Sequence, residues 1–345
     1  MLPPLLRRIT IKGISVIGGG SWGTTLAHHL ATKGFKITLW VKEVEVCTSI
    51  NTNHENPLYL PNATLSENII ATNDIKDAIE KKELIIWVVP AQFFRSVLKK
   101  ALPFIKSSQI HLSATKGIEN SSLFTMSKLL KSLLLPECHA KIGVLSGPSF
   151  AKEVYQKRFT AVTLAFEDTK IAKEIQKILS TPYFRVYTHK DLIGIEIGGA
   201  LKNVIAIAVG IQEKISPGLN TRAALITRGL NEISRLGKAM GGDALTFLGL
   251  AGLGDLILTC TGTLSRNRQV GLLLGEGKKI EDIQKDMNMV AEGIATSLSV
   301  HKLSKKYNVP MPISEAVYQI IHKKKDIEPI LSNLIKRKLK SEFQF

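Results

Sequence analysis

The sequence predicts an α/β domain over residues 11–190, built on a parallel sheet covered on both faces, followed by an all-helical domain over 191–345. Three observations carry this. Five short, near-continuous apolar runs recur before residue 190, separated by segments of helix length. A glycine turn directly follows the first of them. From Asp191 onward the strand texture stops, and helical patterns broken by glycine-rich turns take over.

The five runs are "ISVIG" at 14–18, "KITLW" at 36–40, "LIIWVVP" at 84–90, "QIHLSAT" at 109–115 and "KIGVLSG" at 141–147. Strands buried on both faces read as continuous apolar stretches, as these do, whereas a half-exposed strand alternates. "TAVTLAF" at 160–166 and "YFRVYT" at 183–188 flank a helical segment and extend the same sheet, with an antiparallel direction admitted. Then comes "DLIGIEIGGALKNVIAIAVGIQEKI", which has helical length, internal small residues and no strand boundary. Residues 1–10 form an extension and the last dozen a basic helix or tail.

With 345 residues, 44% hydrophobic and 22% charged, the chain reads as a globular protein of two domains. No uninterrupted apolar run reaches the ~18 residues of a membrane span, and the start lacks the pattern of a signal peptide. Cys47, Cys138 and Cys260 are too far apart for a zinc or redox motif, and the histidines show no ligand spacing. This points to no metal and to a reducing cytoplasm. The net charge of +17 supplies an electrostatic footprint for nucleic acid. No stacking aromatics or recognised binding motif accompany it, so the reading is a lysine-rich solvated surface without a nucleic-acid partner.

Gly18, Gly20 and Gly23 form G-x-G-x-x-G after a strand and at the opening of a helix, with a second strand ending about 20 residues on. The first glycine permits the tight turn, the second lets backbone approach a pyrophosphate, and the third lets helix and strand pack closely. This is a Rossmann-type dinucleotide site, with Ser21 and Trp22 against the cofactor. At the end of the second strand an acid would accept from a ribose hydroxyl and a base would pair with a 2′-phosphate. "WVKEVE" presents both: Lys42 leans toward NADP, and adjacent Glu43 keeps NAD open.

Four later stretches hold polar residues that no structural role readily explains. They are "SATKGIE" at 113–119, "LSGPSFAKEV" at 145–154, "EIGGALKNVIAIAVG" at 196–210 and "GLAGLGDLILTCTGTLSRNRQVG" at 249–271. Together with "GGGSWGTTLA" they resemble the NAD(P)-dependent glycerol-3-phosphate dehydrogenases of the soluble bacterial type, in order, from about residue 13 to residue 320. The resemblance implies reduction of dihydroxyacetone phosphate to sn-glycerol 3-phosphate for glycerophospholipid synthesis, with NAD or NADP as cofactor, and it allows a homodimer.

Chemistry and resemblance meet at particular residues. Lys116 ends a strand at the carboxyl edge, where it can reach cofactor and substrate. The resemblance places Gly147 and Ser149 at the substrate and Ala151, Tyr59, Val290 and Glu292 at the cofactor. Lys202 stands alone in an apolar helix, where burial and a neighbouring Lys116 would lower its pKa toward that of a neutral-pH acid/base. The resemblance makes it the proton acceptor; Asn203 beside it could orient the substrate. Asp255, after glycine-rich backbone, could orient a lysine or a substrate hydroxyl, or could simply cap a helix. Ser265, Arg266 and Asn267 suit a phosphomonoester, Arg266 through its planar fork. The resemblance puts all three on the substrate and Arg266 also on the cofactor. Two other readings stand beside this one: a two-domain hydroxyacid dehydrogenase of the 6-phosphogluconate type, and a non-catalytic dinucleotide or nucleic-acid binder.

Overall fold

The computed structural model describes residues 11–287, 290–336 and 341–342. The amino-terminal extension, Met289 and most of the basic tail lie outside them. Ten strands occur in chain order: β1 (Ile14–Ile17), β2 (Ile37–Trp40), β3 (Glu55–Asn56), β4 (Leu60–Thr64), β5 (Ile69–Thr72), β6 (Leu84–Trp87), β7 (Ile110–Ser113), β8 (Ile142–Ser146), β9 (Thr160–Phe166) and β10 (Phe184–His189). Eight of them make one sheet in the order β10-β9-β8-β7-β6-β1-β2-β5. Neighbours are parallel except β8 and β9, which run antiparallel. Because β10 is parallel to β9, the last two strands both run against the rest.

The five continuous apolar runs are β1, β2, β6, β7 and β8. Residues alternate between the two faces of the sheet at period 2. Ile14, Val16, Leu84 and Ile86 enter one core, and Ile17, Ile85 and Trp87 enter the core on the opposite face. Sequence patterning did not find β5, nor the β3–β4 hairpin. β5 lies at the sheet edge with Ile70 turned to solvent, so it lacks the long apolar run that marks the central strands. The chain climbs from β1 outward to β2 and β5, then returns to β6 on the other side of β1. That reversal puts a crevice at the carboxyl ends of β1 and β6, where such sheets bind ligands.

Among the described residues every element after β10 is helical. Asp191 caps the helix Leu192–Ile215, accepting from Gly194 N at 2.8 Å, Asp243 N at 2.8 Å and Thr246 Oγ1 at 2.7 Å. This central helix is long and apolar enough to cross a membrane, but 89% of its most apolar window is buried inside the protein. Glu196, Lys202 and Asn203 interrupt the apolar run, which is why no continuous span stands out in the sequence. Its Glu196 is buried, accepts from Ser127 N at 2.8 Å and so joins the helical part to the helix Met126–Leu133 beside the sheet. The helix Arg266–Gly275 crosses the central helix backbone to backbone. A Cβ on Gly271 would lie 2.1 Å from Ile207 O. That crossing sets the position of Arg266 and Asn267 relative to Lys202.

Candidate active site

The glycine turn has the geometry a dinucleotide needs. Gly18 has φ +120°, in the region that favours glycine, and a Cβ there would fall 2.8 Å from Val88 O. A Cβ on Gly23 would strike Gly18 O at 1.9 Å, so the helix Ser21–Ala31 packs against β1 only with glycine there. Gly20 differs: a Cβ there would meet nothing within 4 Å. The second glycine is therefore not required by packing among the described residues. It leaves bare backbone at a helix N-terminus with no side-chain cap and no acid in the first turn, which fits an approaching pyrophosphate. The buried Trp22 Nε1, which has no hydrogen-bond partner among the described residues, adds a donor at the same turn.

The β3–β4 hairpin braces this turn. Asn56, fully buried, donates to Gly19 O and to Thr24 Oγ1, both at 2.8 Å, and accepts from Tyr59 N at 3.1 Å. Ser21 Oγ donates to Tyr59 O at 2.5 Å. The Tyr59 hydroxyl donates to Glu43 Oε1 at 3.1 Å, and burial with this carboxylate raises the phenol's pKa. Glu43 is thereby engaged, while Lys42 is exposed.

A second cluster lies beyond the carboxyl ends of β7 and β8. Asp255, 1% exposed, begins the helix Asp255–Thr261 after a π-helical turn, Leu250–Gly254, of the irregular kind that often marks a functional site. Gly254 takes the capping position, so the Asp255 carboxylate does not cap its own helix and accepts from Thr259 Oγ1 one turn on, at 3.4 Å. It receives Lys202 Nζ at 2.5 Å on one oxygen and Lys116 Nζ at 2.6 Å on the other. Lys116 also donates to Gly147 O at 2.9 Å, and Ser149 Oγ donates to the same carbonyl at 2.9 Å. Lys202, 6% exposed, donates in addition to Thr259 Oγ1 at 2.8 Å. Burial pulls the Lys202 pKa down to about 8; Asp255 opposes the fall and Lys116 adds to it. Two ammonium groups share one carboxylate, and Lys202, the more buried, can lose its proton at about pH 8.

A chain of amides ties three further positions to this cluster. Asn267 Nδ2 donates to Asn203 Oδ1 at 2.9 Å, and Gly293 N donates to Asn267 Oδ1 at 2.9 Å. Each of these residues adjoins a residue singled out in the sequence: Lys202, Arg266 and Glu292. Arg268 is paired with Glu213 at 2.6 Å, whereas Arg266 is exposed and makes no ion pair among the described residues. Water reaches Arg266, yet surrounding protein holds its pKa below the usual arginine value, with Glu292 opposing. Glu292 accepts from Ala91 N at 3.0 Å, linking the helical part to the sheet part, and its second oxygen is buried without a partner among the described residues. Burial raises its pKa to about 7, against the pull of Ala91 N–H and Arg266.

The residues expected from the sequence thus form two groups. Gly18, Gly20, Ser21, Trp22, Gly23 and Tyr59 surround the glycine turn; Lys116, Gly147, Ser149, Lys202 and Asp255 form the charged cluster, with Arg266, Asn267 and Glu292 beside it. Ala151 begins the short helix that follows Ser149. Ser265 Oγ accepts from Arg268 N at 3.2 Å as a helix cap, a role that the sequence alone did not reveal. Lys42 and Val290 are exposed and joined to neither group by a hydrogen bond or ion pair among the described residues. Thr259 and Asn56 were missed. Thr259 had a signal, its spacing of four from Asp255 on one helix face, whereas Asn56 lies 37 residues from the turn it braces.

The chain is similar to known proteins along nearly its whole length. Over 331 residues the chain is 51% identical to a glycerol-3-phosphate dehydrogenase [NAD(P)+] of Syntrophobacter fumaroxidans, covering 96% of this chain and 97% of that one. The crystal structure of a glycerol-3-phosphate dehydrogenase from Coxiella burnetii superposes with a TM-score of 0.89 at 39% identity, covering 95% of this chain and 99% of that one. The corresponding enzyme of Saccharomyces cerevisiae gives 0.78 at 30% identity, covering 95% and 100%. Two family models match in succession, the NAD-dependent glycerol-3-phosphate dehydrogenase N-terminus over residues 13–172 and its C-terminus over residues 191–332. The chain belongs to the NAD-dependent glycerol-3-phosphate dehydrogenase family.

Proposed function

We propose that this chain reduces dihydroxyacetone phosphate to sn-glycerol 3-phosphate with NADH or NADPH, in the cytoplasm and for glycerophospholipid synthesis, and that it does so as a homodimer. Residues 11–190 form the coenzyme-binding domain and 191–345 the helical domain that completes both sites. The observation that carries the reading is the buried Lys202–Asp255–Lys116 cluster, with one ammonium poised at about pH 8.

The coenzyme, when bound, supplies the hydride. The glycine turn, Ser21, Trp22, Tyr59, Ala151, Val290 and Glu292 would hold it, and Arg266 would meet both it and the substrate. Lys202 Nζ gives its proton to the carbonyl oxygen as negative charge develops there, and Asp255 keeps that ammonium aimed. In glycerol phosphate oxidation the same nitrogen, neutral, takes the hydroxyl proton. Lys116 adds positive charge beside the oxygen. Gly147 and Ser149 contact the substrate beside Lys116, while Ser265, Arg266 and Asn267 fix the phosphate end, and that anchoring orients the carbonyl as well as binding it.

Initial rates of NADH and NADPH oxidation with dihydroxyacetone phosphate test the reading; activity on a 2-hydroxy acid with none on this ketone would replace it. Arg266→Lys keeps the charge and loses the planar fork. It is expected to lower kcat/KM for dihydroxyacetone phosphate by about ten- to a hundredfold, the range for hydrogen bonds to a charged group. Unphosphorylated dihydroxyacetone should be affected far less, and equal losses would put Arg266 on the coenzyme or the fold. Lys42→Glu is expected to weaken NADPH more than NADH, since Glu43 is engaged by Tyr59 and Lys42 is the open cation of the pair. Equal effects on both coenzymes would mean that Lys42 serves only solvent.

A further inference from the structure

A cavity of about 600 Å³ lies between the sheet part and the helical part, on residues outside both groups described above. Its wall includes the connection between the two parts, Lys190 to Ile193. Phe124 and Lys128 line it from the sheet side, and Met240, Leu303 and Lys306 from the helical side. The volume is that of a pocket for a small organic ligand.

The charges around it are not balanced. Of the three carboxylates in the wall, Glu167 is bound to Lys131, while Asp191 and Asp243 are used as helix caps. Lys128, Lys190 and Lys306 have no carboxylate partner among the described residues. Lys128 rests over the Phe124 ring at 4.6 Å and Lys306 over the Tyr307 ring at 5.8 Å. Both ammonium groups therefore stand at the border between apolar wall and open space. The apolar part of the wall includes Phe124, Leu192, Ile193, Met240 and Leu303.

We infer that this cavity is a second ligand site, for an organic anion with an apolar body. The headgroup meets Lys128, Lys190 and Lys306, and the body lies on the apolar wall. An anion without a body leaves that wall wet, and an apolar molecule without a charge leaves the lysines unused; neither fits as well as the combination. A phosphate or a carboxylate headgroup has the chemistry required.

Calorimetric titration of the full chain with octyl phosphate and with octanoate tests this, using inorganic phosphate and octanol as controls. At least one of the two amphiphiles should bind with Kd below about 1 mM, and at least tenfold more tightly than either control. Lys128→Gln/Lys190→Gln/Lys306→Gln should raise that Kd at least tenfold, leaving turnover of dihydroxyacetone phosphate unchanged. Met240→Gln, which makes the wall polar and keeps the charges, should also weaken binding. Loss of octyl phosphate or of octanoate binding in the triple variant identifies the headgroup. The proposal is overturned if neither amphiphile binds, if inorganic phosphate binds as tightly, or if the triple variant binds like the wild type, since the probe then occupies another site.

Discussion

Lys202→Met is expected to lower kcat at least about a hundredfold, the low end for losing a positioned acid/base, with NAD(P)H affinity and melting temperature little changed. Methionine roughly keeps the length and apolar packing of the stem and removes only the amine. The fold should tolerate this because burial outweighs the attraction of Asp255, as the net fall of the Lys202 pKa to about 8 requires. The sign can be checked in the wild type. Its folded-state pKa lies below the ordinary 10.5, so between about 8 and 10.5 the unfolded chain holds a proton that the folded chain has released. This group therefore adds stability as pH rises through that window and lowers it below. Activity follows the same titration. Glycerol phosphate oxidation needs the neutral amine and should rise with pH through about 8, whereas ketone reduction needs the ammonium and should fall there. Both limbs should vanish from the residual activity of the variant. More than a tenth of wild-type kcat remaining would take Lys202 out of the chemistry.

Asp255→Asn is expected to cost as much activity and, unlike the first change, considerable stability. The carboxylate holds both Lys202 and Lys116 and is 1% exposed, so its loss leaves two ammonium groups facing each other. Removing one partner of a buried ion pair costs about 3–5 kcal/mol. Lys202 can relieve part of this by giving up its proton, which places the expected loss near the lower end and makes it smaller in alkali. Without Asp255 the Lys202 pKa falls further, so the rising limb of the oxidation profile should move to lower pH. A limb that stays at its wild-type position would show that the carboxylate does not act on Lys202. Thermal melting from pH 7 to 10 and pH–rate profiles of the same preparation read both effects.

How far the sequence could be read depended on how local each cause was. Gly18 and Gly23 were legible because a turn and a close approach set their identity within a few residues. Lys202 was legible because a lysine among glycine, alanine and isoleucine has no cheap structural explanation. The antiparallel step at β8–β9 was admitted but not decided, since pairing direction leaves no mark on a buried strand's composition. Asn56 and Ser265 show the limit. Asn56 acts only once a hairpin folds back on the glycine turn, and the cap made by Ser265 depends on where a helix happens to begin.

The central helix also has a bearing on how the chain is made. During synthesis its apolar surface emerges well before its cover, because about sixty residues separate Ile215 from the end of the helix Arg266–Gly275. At about 5–20 residues per second the ribosome needs roughly 3–12 s to deliver them. Through that interval the nascent helix has the length and hydropathy of a membrane segment. Lys202 lies near its midpoint, where a lysine adds about 2.5–3.5 kcal/mol to the cost of insertion. The ammonium at the centre of the site thus also raises the cost of placing this helix in a bilayer.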